Sequence, residues 1–337
     1  MSLEARLIRV WYEGERPAAW MLLLSVLFRW LARVRRFLYR IRILRATKPG
    51  VPVVVVGNIA AGGTGKTPLV LHIAELLKAR GLRAGVVSRG HGGKGIKEPL
   101  LVTMDSDPAL AGDEPVLFAM HGIPVAVHRR RVLAARALLE AEAVDVIVCD
   151  DGLQHYALAR DIEIAVVDGA RLLGNRRLLP AGPLREPPAR LAEVDHVVVN
   201  GDDGRLAEHE IVHMQLEPAA LVNLAGGERR EPQALAGEKV VAIAGIGNPQ
   251  RFFTTLSSLG YHAECRAFPD HHPFQPGDLD FAGERPVLMT AKDAVKCRGF
   301  ARPNWWYLEA RARVDERFDA ALLARLEEIM AEAGHER

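Results

Sequence analysis

The chain has 337 residues, 49% of them hydrophobic and 26% charged, with a formal net charge of +2. Those figures exclude a disordered chain and leave room for two domains of ordinary size. The three cysteines, Cys149, Cys265 and Cys297, form no CxxC pair, which argues against a disulfide framework or a zinc site and suits a reducing compartment.

The charge is unevenly placed. Residues 1–48 hold eleven Lys/Arg against three acids, so the remainder of the chain is net acidic. Within this head, AAWMLLLSVLF (18–28) is apolar for eleven residues and then meets Arg29. That is short of the roughly 20 residues a transmembrane helix needs. Arg29, Arg33, Arg36 and Arg40 share one helical face, while Leu27, Leu31, Val34, Leu38 and Ile41 share the opposite one. Trp11, Trp20, Trp30 and Tyr39 add rings suited to the headgroup region. The spacing predicts a basic amphipathic helix that contacts a membrane surface, spanning the bilayer or lying on it. Eight basic residues between 29 and 48 stand with no acid among them. At about 1 kcal/mol each near an anionic leaflet, discounted by half, they add roughly 4 kcal/mol. The bland alternative is a helix packed on the protein's own body. A nucleic-acid arm is disfavoured by the facing stripe of Leu, Val and Ile. A cleaved signal peptide fits poorly, since no small-residue cleavage site follows residue 28.

Val53–Val56 is a short β-branched run that reads as a buried parallel strand. It leads into GNIAAGGTGKTP (57–68), and LVLHIAELLKARG reads as the helix that follows. The phosphate-binding pattern GxxxxGK[ST] would begin at residue 60, which is Ala60 here; Ala61, Gly62, Gly63, Thr64, Gly65, Lys66 and Thr67 complete the loop. The glycines let successive backbone N–H groups turn toward one anion. Lys66 is expected to reach the β and γ phosphates, and Thr67 to ligate Mg²⁺. The helix start adds its positive end. Such a loop binds a nucleoside triphosphate but does not say where the γ-phosphate goes.

Further strands are predicted at 83–88, 124–127, 144–149, 163–167 and 196–199, alternating with helices near 69–80, 113–120 and 130–142. That pattern is a doubly wound parallel α/β sheet. The strand over 144–149 ends in Asp150-Asp151-Gly152-Leu153-Gln154-His155. Acids at a strand end beside a phosphate loop organise Mg²⁺ and water. Residues 205–236 alternate like a β-ribbon, and new strands begin after it. The predicted organisation is a membrane-associating segment over 1–48, a P-loop kinase domain over 49–204, a β-ribbon hinge over 205–236, a second, smaller α/β domain over 237–312 and a C-terminal helix over 313–337. Gly245 and Gly247 of AGIGNP are either a tight turn or a second phosphate loop.

Eight motifs in order carry a resemblance: GNIAAGGTGKTP, SRGHGG (88–93), GDEP (112–115), DDGLQH (150–155), LLPAGPLREP (178–187), AGIGNPQRF (244–252), FPDHHPF (268–274) and MTAKDAVK (289–296). Together they resemble the tetraacyldisaccharide 4'-kinase family, the lipid A kinases of Gram-negative bacteria, from about residue 10 to residue 310. The resemblance implies transfer of the γ-phosphate of ATP to the 4'-hydroxyl of a tetraacyldisaccharide 1-phosphate, giving lipid IVA. It implies ATP and Mg²⁺ as cofactors, a lipid substrate, and work at the cytoplasmic face of the bacterial inner membrane. No nucleic acid and no obligate protein partner are implied. It assigns Asp113 as base, paired with His271 rather than His272. It gives Arg131 and Arg185 to phosphates, and makes Asp150, Asp151 and Glu186 candidates beside Thr67 for the metal, directly or through water. Gln154 and His155 are left as either substrate contacts or structural groups. With Asp113 and His271 in different domains, bringing them together is expected to need closure of the two.

Three rival readings are weaker. A membrane-cycling partitioning ATPase places a lysine where Ala61 stands. A soluble metabolite kinase leaves the basic apolar head without a role. A metal-insertion GTPase needs a Cys/His cluster and an NKxD motif, and neither is present.

Overall fold

A computed structural model describes residues 3–90, 97–201, 206 and 210–335. Two helices, α1 (Leu3–Tyr12) and α2 (Ala19–Arg40), precede the first strand, β1 (Val53–Gly57). The chain then alternates through α3 (Lys66–Ala79), β2 (Ala84–Ser88), β3 (Leu100–Val102), α4 (Pro108–Ala111), α5 (Asp113–Met120), β4 (Val125–Val127), α6 (Arg131–Ala141), β5 (Val146–Asp150), β6 (Ile162–Asp168) and β7 (His196–Asn200). The long β8 (Ile211–Asn223) and the short β9 (Arg229–Arg230) follow. The rest is β10 (Val241–Ala244), α7 (Pro249–Ser258), β11 (Glu264–Ala267), β12 (Val287–Thr290), α8 (Ala291–Cys297), β13 (Trp305–Val314) and α9 (Glu316–His335).

All the strands belong to one sheet, in the order β11-β10-β12-β13-β8-β7-β6-β1-β5-β2-β4-β3, with β9 paired to β8. The stretch read as a ribbon contains β8 and β9, and β8 runs parallel to β7 on one side and antiparallel to β13 on the other. Two parallel sets of strands therefore meet at one antiparallel seam. The seam carries a bulge between Glu309 and Ala310, opposite Pro218 and Ala220. A proline is tolerated there because a bulge relaxes the ladder.

The apolar strands need cover on both faces, as buried parallel strands do. Val54 and Val56 pack with Leu69 and Ile73 of α3 and with Phe318 and Leu322 of α9. Val53 and Val55 point the other way, into a core with Ala134 and Leu138 of α6. In the second set, α7 supplies Phe252 and Leu256 to one face and α8 supplies Ala294 and Cys297 to the other.

The N-terminal helix has three faces where the sequence reading gave two. Met21 and Ser25 are buried against the body, and Ser25 Oγ donates to Leu178 O at 2.9 Å. Further along the same side, Arg36 pairs with Glu193 and the Tyr39 ring lies 5.8 Å from that of Tyr156. The short residue Ser25, inside an otherwise bulky apolar run, marks this docking stripe. A separate apolar face stays exposed, with Trp20, Leu23, Leu27, Trp30, Leu31 and Phe37 all more than half exposed. Upstream, Trp11 Nε1 donates to Pro180 O (3.0 Å) and ties α1 down. Among the described residues, no helix is long and apolar enough to cross a membrane.

Candidate active site

The phosphate loop lies between β1 and α3, as its glycines require. Gly65 sits at φ 91°, and a Cβ there would meet Asn200 Nδ2 at 2.5 Å. That amide donates to Thr64 O (3.1 Å), and Asn58 Nδ2 donates to Gly62 O (3.1 Å). The segment around LLPAGPLREP straps the other flank: Ala61 N donates to Pro183 O (2.8 Å) and Arg185 N to Ile59 O (2.6 Å). Thr64 and Thr67 are buried and Lys66 is nearly so.

At the end of the neighbouring β5, the two aspartates differ. Asp151, at φ 48°, is gripped by Arg185 Nη1 through both carboxylate oxygens (3.0 Å each) and lies 3.4 Å from Lys66 Nζ. Burial pushes its carboxyl up, but Lys66 and Arg185 together outweigh that and hold it at about 2. Asp150 is buried and accepts from Ser88 Oγ at 3.1 Å. Burial raises it to about 6, against the pull of Lys66 and with Glu114 and Asp151 pushing the same way as burial. A buried carboxylate short of positive charge is what a divalent cation would satisfy, so Asp150, with the Thr67 hydroxyl, fits a Mg²⁺–triphosphate beside this loop, while Asp151 is taken by Lys66 and Arg185.

Asp113 opens α5, where an acid favours the helix dipole. His271 Nδ1 lies 3.2 Å from its Oδ2. The neighbouring His272 instead meets Asp278 (2.9 Å) and the rings of Phe268 and Phe274. In the structure the pair is already in contact. The reason is that α5 and α8 are already joined: Lys292 Nζ pairs with Glu114, and Lys296 Nζ lies 3.9 Å from Asp113 Oδ2. Burial raises the Asp113 carboxyl, with Lys296 and His271 pulling it back down. Burial also pushes Glu114 up, but Lys292 wins and holds it at about 2.

Arg131 opens α6 and is buried; its Nη2 reaches Asp151 O (3.3 Å), while its buried Nε finds no hydrogen-bond partner among the described residues. His155 Nε2 accepts from Arg131 N (3.1 Å), and burial plus Arg131, Arg160, Arg35 and Arg89 depress it to about 4. Glu186 faces elsewhere: its oxygens take Gln154 Nε2 (2.7 Å) and Tyr156 Oη (2.6 Å), with Arg190 Nε 3.4 Å away. Gln154 also donates to Asn58 O, so it links that cluster to the loop (3.1 Å). Gly245 and Gly247 face the carboxylates of Asp293 and Asp270, the arrangement of a tight turn and not of an anion cradle. Residues 91–93 of SRGHGG lie outside the described residues.

Sequence reasoning gave no role to Ser88, Asn200, Lys292 or Lys296. The first two end β2 and β7, and the rule that ligands gather at carboxyl ends of parallel strands would have found them. The lysines carry no such local signal.

The family model described as LpxK, Tetraacyldisaccharide-1-P 4'-kinase, matches residues 17–327. A curated "Tetraacyldisaccharide 4'-kinase" of Pseudomonas aeruginosa (strain LESB58) is 47% identical over 337 residues, covering 98% of this chain and 100% of its own. One from Shewanella sp. (strain MR-4) is 48% identical over 333 residues, covering 96% of each. Among solved structures, the "apo" form of LpxK from Aquifex aeolicus in complex with ATP aligns with a TM-score of 0.77 and 30% identity, over 90% of this chain and 98% of that one.

Proposed function

The chain belongs to the tetraacyldisaccharide-1-P 4'-kinase family, and we propose how its residues carry out that reaction: the γ-phosphate of ATP passes to the 4'-hydroxyl of tetraacyldisaccharide 1-phosphate. The product is lipid IVA, an intermediate of lipid A biosynthesis. The observation that carries the division of labour is the Asp113–His271 pair, tied by α8 to the same strand ends that hold Lys66, Asp150 and Asp151.

Phosphoryl transfer is chiefly positioning and charge neutralisation. The loop from Ala60 to Gly65 cradles the phosphates with its backbone, and Lys66 reaches the terminal ones. Lys66 and Arg185 share Asp151, and a triphosphate would offer both a stronger anion. Arg131, whose Nη2 stands at Asp151 O beside the loop, directs its guanidinium charge to an equatorial phosphoryl oxygen. Thr67 and Asp150, with Asp151 directly or through water, would hold a Mg²⁺, which would supply positive charge beside the phosphates. Glu186, engaged by Gln154, Tyr156 and Arg190, supports the loop from behind. Asp113 accepts the proton of the attacking hydroxyl, and His271 fixes which carboxylate oxygen faces it.

The acceptor is an amphiphile whose acyl chains stay in a leaflet. The exposed apolar face of α2 lies on that leaflet, with its arginines at headgroup level, at the cytoplasmic side of the inner membrane. The protein is then peripheral, and the sugar rises to the site.

The test is transfer of labelled phosphate from ATP to the tetraacyl disaccharide 1-phosphate in detergent. Wild type labels the lipid, Lys66→Ala nearly abolishes labelling, and Asp113→Ala slows turnover far more than it weakens ATP binding. Label appearing only in free phosphate would refute the kinase reading, and wild-type turnover by Asp113→Ala would remove the base.

A further inference from the structure

Four sequence motifs close into one ring of contacts around Asp113. His271 Nδ1 and Lys296 Nζ lie 3.2 and 3.9 Å from Asp113 Oδ2. Lys296 Nζ is 2.9 Å from Asp293 Oδ1. The other oxygen of Asp293 accepts from Gly245 N (3.0 Å) and Thr290 Oγ1 (2.7 Å). Gly245 O accepts from His271 N at 3.2 Å, and the ring is complete. It runs through GDEP, DHHPF, AGIGNP and TAKDAVK.

Most of the ring is buried, though the His271 side chain is 45% exposed. Asp293 is fully buried and the Lys296 side chain is 8% exposed. A Cβ on Gly245 would stand 3.1 Å from Asp293 Oδ1 and 3.3 Å from Pro269 O, so any larger residue would push those neighbours by a few tenths of an ångström. His271 sits at φ 56°, a backbone state that persists only when its surroundings hold it. Its N–H is held by Gly245 O and by Asp270 Oδ1 (3.0 Å).

We propose that Lys296 and Asp293 are positioning residues for the transfer: Lys296 keeps the Asp113 carboxylate ionised and aimed, and Asp293 sets the place of His271 by anchoring both Lys296 and the Gly245 turn. This rests on the reading of Asp113 as the group that accepts the hydroxyl proton. A buried carboxylate that already holds a proton cannot accept another. Asp113 is acted on by Glu114 of its own helix, by Lys296 and Lys292 of α8 and by His271 of the loop after β11, while Asp293 and Asp270 stand one contact further out, against Lys296 and His271. Lys292 is committed to Glu114, which leaves Lys296 as the α8 cation turned to Asp113.

The experiment is the pH dependence of kcat/KM for the full chain with ATP, Mg²⁺ and the tetraacyl acceptor, in wild type, Lys296→Met, Lys296→Arg and Asp293→Asn, with thermal melts and KM for ATP alongside. Removing a cation raises the carboxylate's pKa, so Lys296→Met is expected to move the acidic limb up by about one pH unit. Its loss then grows as pH falls through the limb, reaches about tenfold below both pKa values and vanishes above them, and Lys296→Arg restores the limb. Asp293→Asn is expected to lower kcat at least about tenfold with KM for ATP held within about twofold. A limb unmoved in Lys296→Met, with a loss uniform across pH, overturns the role of Lys296. Should that variant fail to fold, an Arg variant with a displaced limb overturns it equally. Wild-type kcat in Asp293→Asn overturns the role of Asp293. A wild-type profile with no acidic limb instead defeats the assignment of Asp113 as base, a failure distinct from the other three.

Discussion

Replacing Leu23 and Leu27 by glutamate tests whether the unpartnered face of α2 lies on lipid. Leu23 is 72% exposed and Leu27 52%, so neither contributes much to the protein's own core and the fold should tolerate the change. Full burial of a leucine is worth roughly 2 kcal/mol. Scaled by the exposed fractions, the two side chains bring about 2.5 kcal/mol to insertion, close to a hundredfold in partitioning. Two new carboxylates near an anionic leaflet add to the loss. The assay is co-sedimentation with vesicles containing anionic lipid, with ATP affinity and melting temperature measured on the same samples. The double variant should leave the vesicle pellet at concentrations where wild type is fully bound. It should also lose activity on acceptor embedded in vesicles while still binding ATP as wild type does. Equal sedimentation of the two proteins would refute the reasoning. The exposed apolar face would then have to be covered by something other than a membrane.

Two further outcomes follow from the geometry. Gly65→Ala puts a methyl group 2.5 Å from Asn200 Nδ2 at φ 91°, so it should cost about 1–3 kcal/mol of stability and abolish ATP binding, as isothermal titration would show. Glu309 accepts from His121 and pairs with Arg229; the His121 hydrogen bond comes first, burial opposes it, Arg229 helps, and the carboxyl is held at about 2 against an ordinary 4.5. A depressed carboxylate stabilises the fold above pH 4.5 and loses that contribution as pH falls from 4.5 toward 2. Glu309→Gln should therefore be less stable than wild type at pH 7 and show a shallower decline over that acid window in urea denaturation.

Local signals carried a long way. The β-branched run, the glycine turn and the helix start gave β1 to within one residue and α3 to within three, because a parallel strand and a phosphate loop each impose their own composition. Asp150 and Asp151 were legible for the same reason, as acids at a strand end. What the sequence hid is non-local. IVHMQLEPAALVN alternates as an edge ribbon does, and nothing within it says that β7 and β13 will flank it. Lys292 meets Glu114 across 178 positions of chain, and no spacing rule reaches that far. Glu186 reads as one more acid near the loop until Tyr156, Gln154 and Arg190 are seen to occupy it. The docking stripe of α2 was masked because its Met21 and Ser25 lie inside the same apolar run as the exposed residues.

The seam explains why one site draws on both ends of the chain. In an open parallel sheet, ligands gather at the carboxyl edge of the strands. Two parallel sets running in opposite directions would ordinarily put those edges on opposite sides of the molecule. Here β8 overshoots. Its Met214 is level with Asn200, the last residue of β7, whereas its Leu221 is level with Leu308, which is in turn level with Thr290, the last residue of β12. The seven residues between those levels amount to roughly 23 Å at about 3.3 Å per residue. Because β13 and its parallel partners run back along β8, the carboxyl edges of the two sets face each other across that gap. Asp113, Asp150 and Lys66 stand on one side of it; the turns after β10 and β11, with Gly245 and His271, come from the other. A single long strand therefore supplies a two-sided crevice in which Asp113, from the elements of one set, meets His271, from the elements of the other.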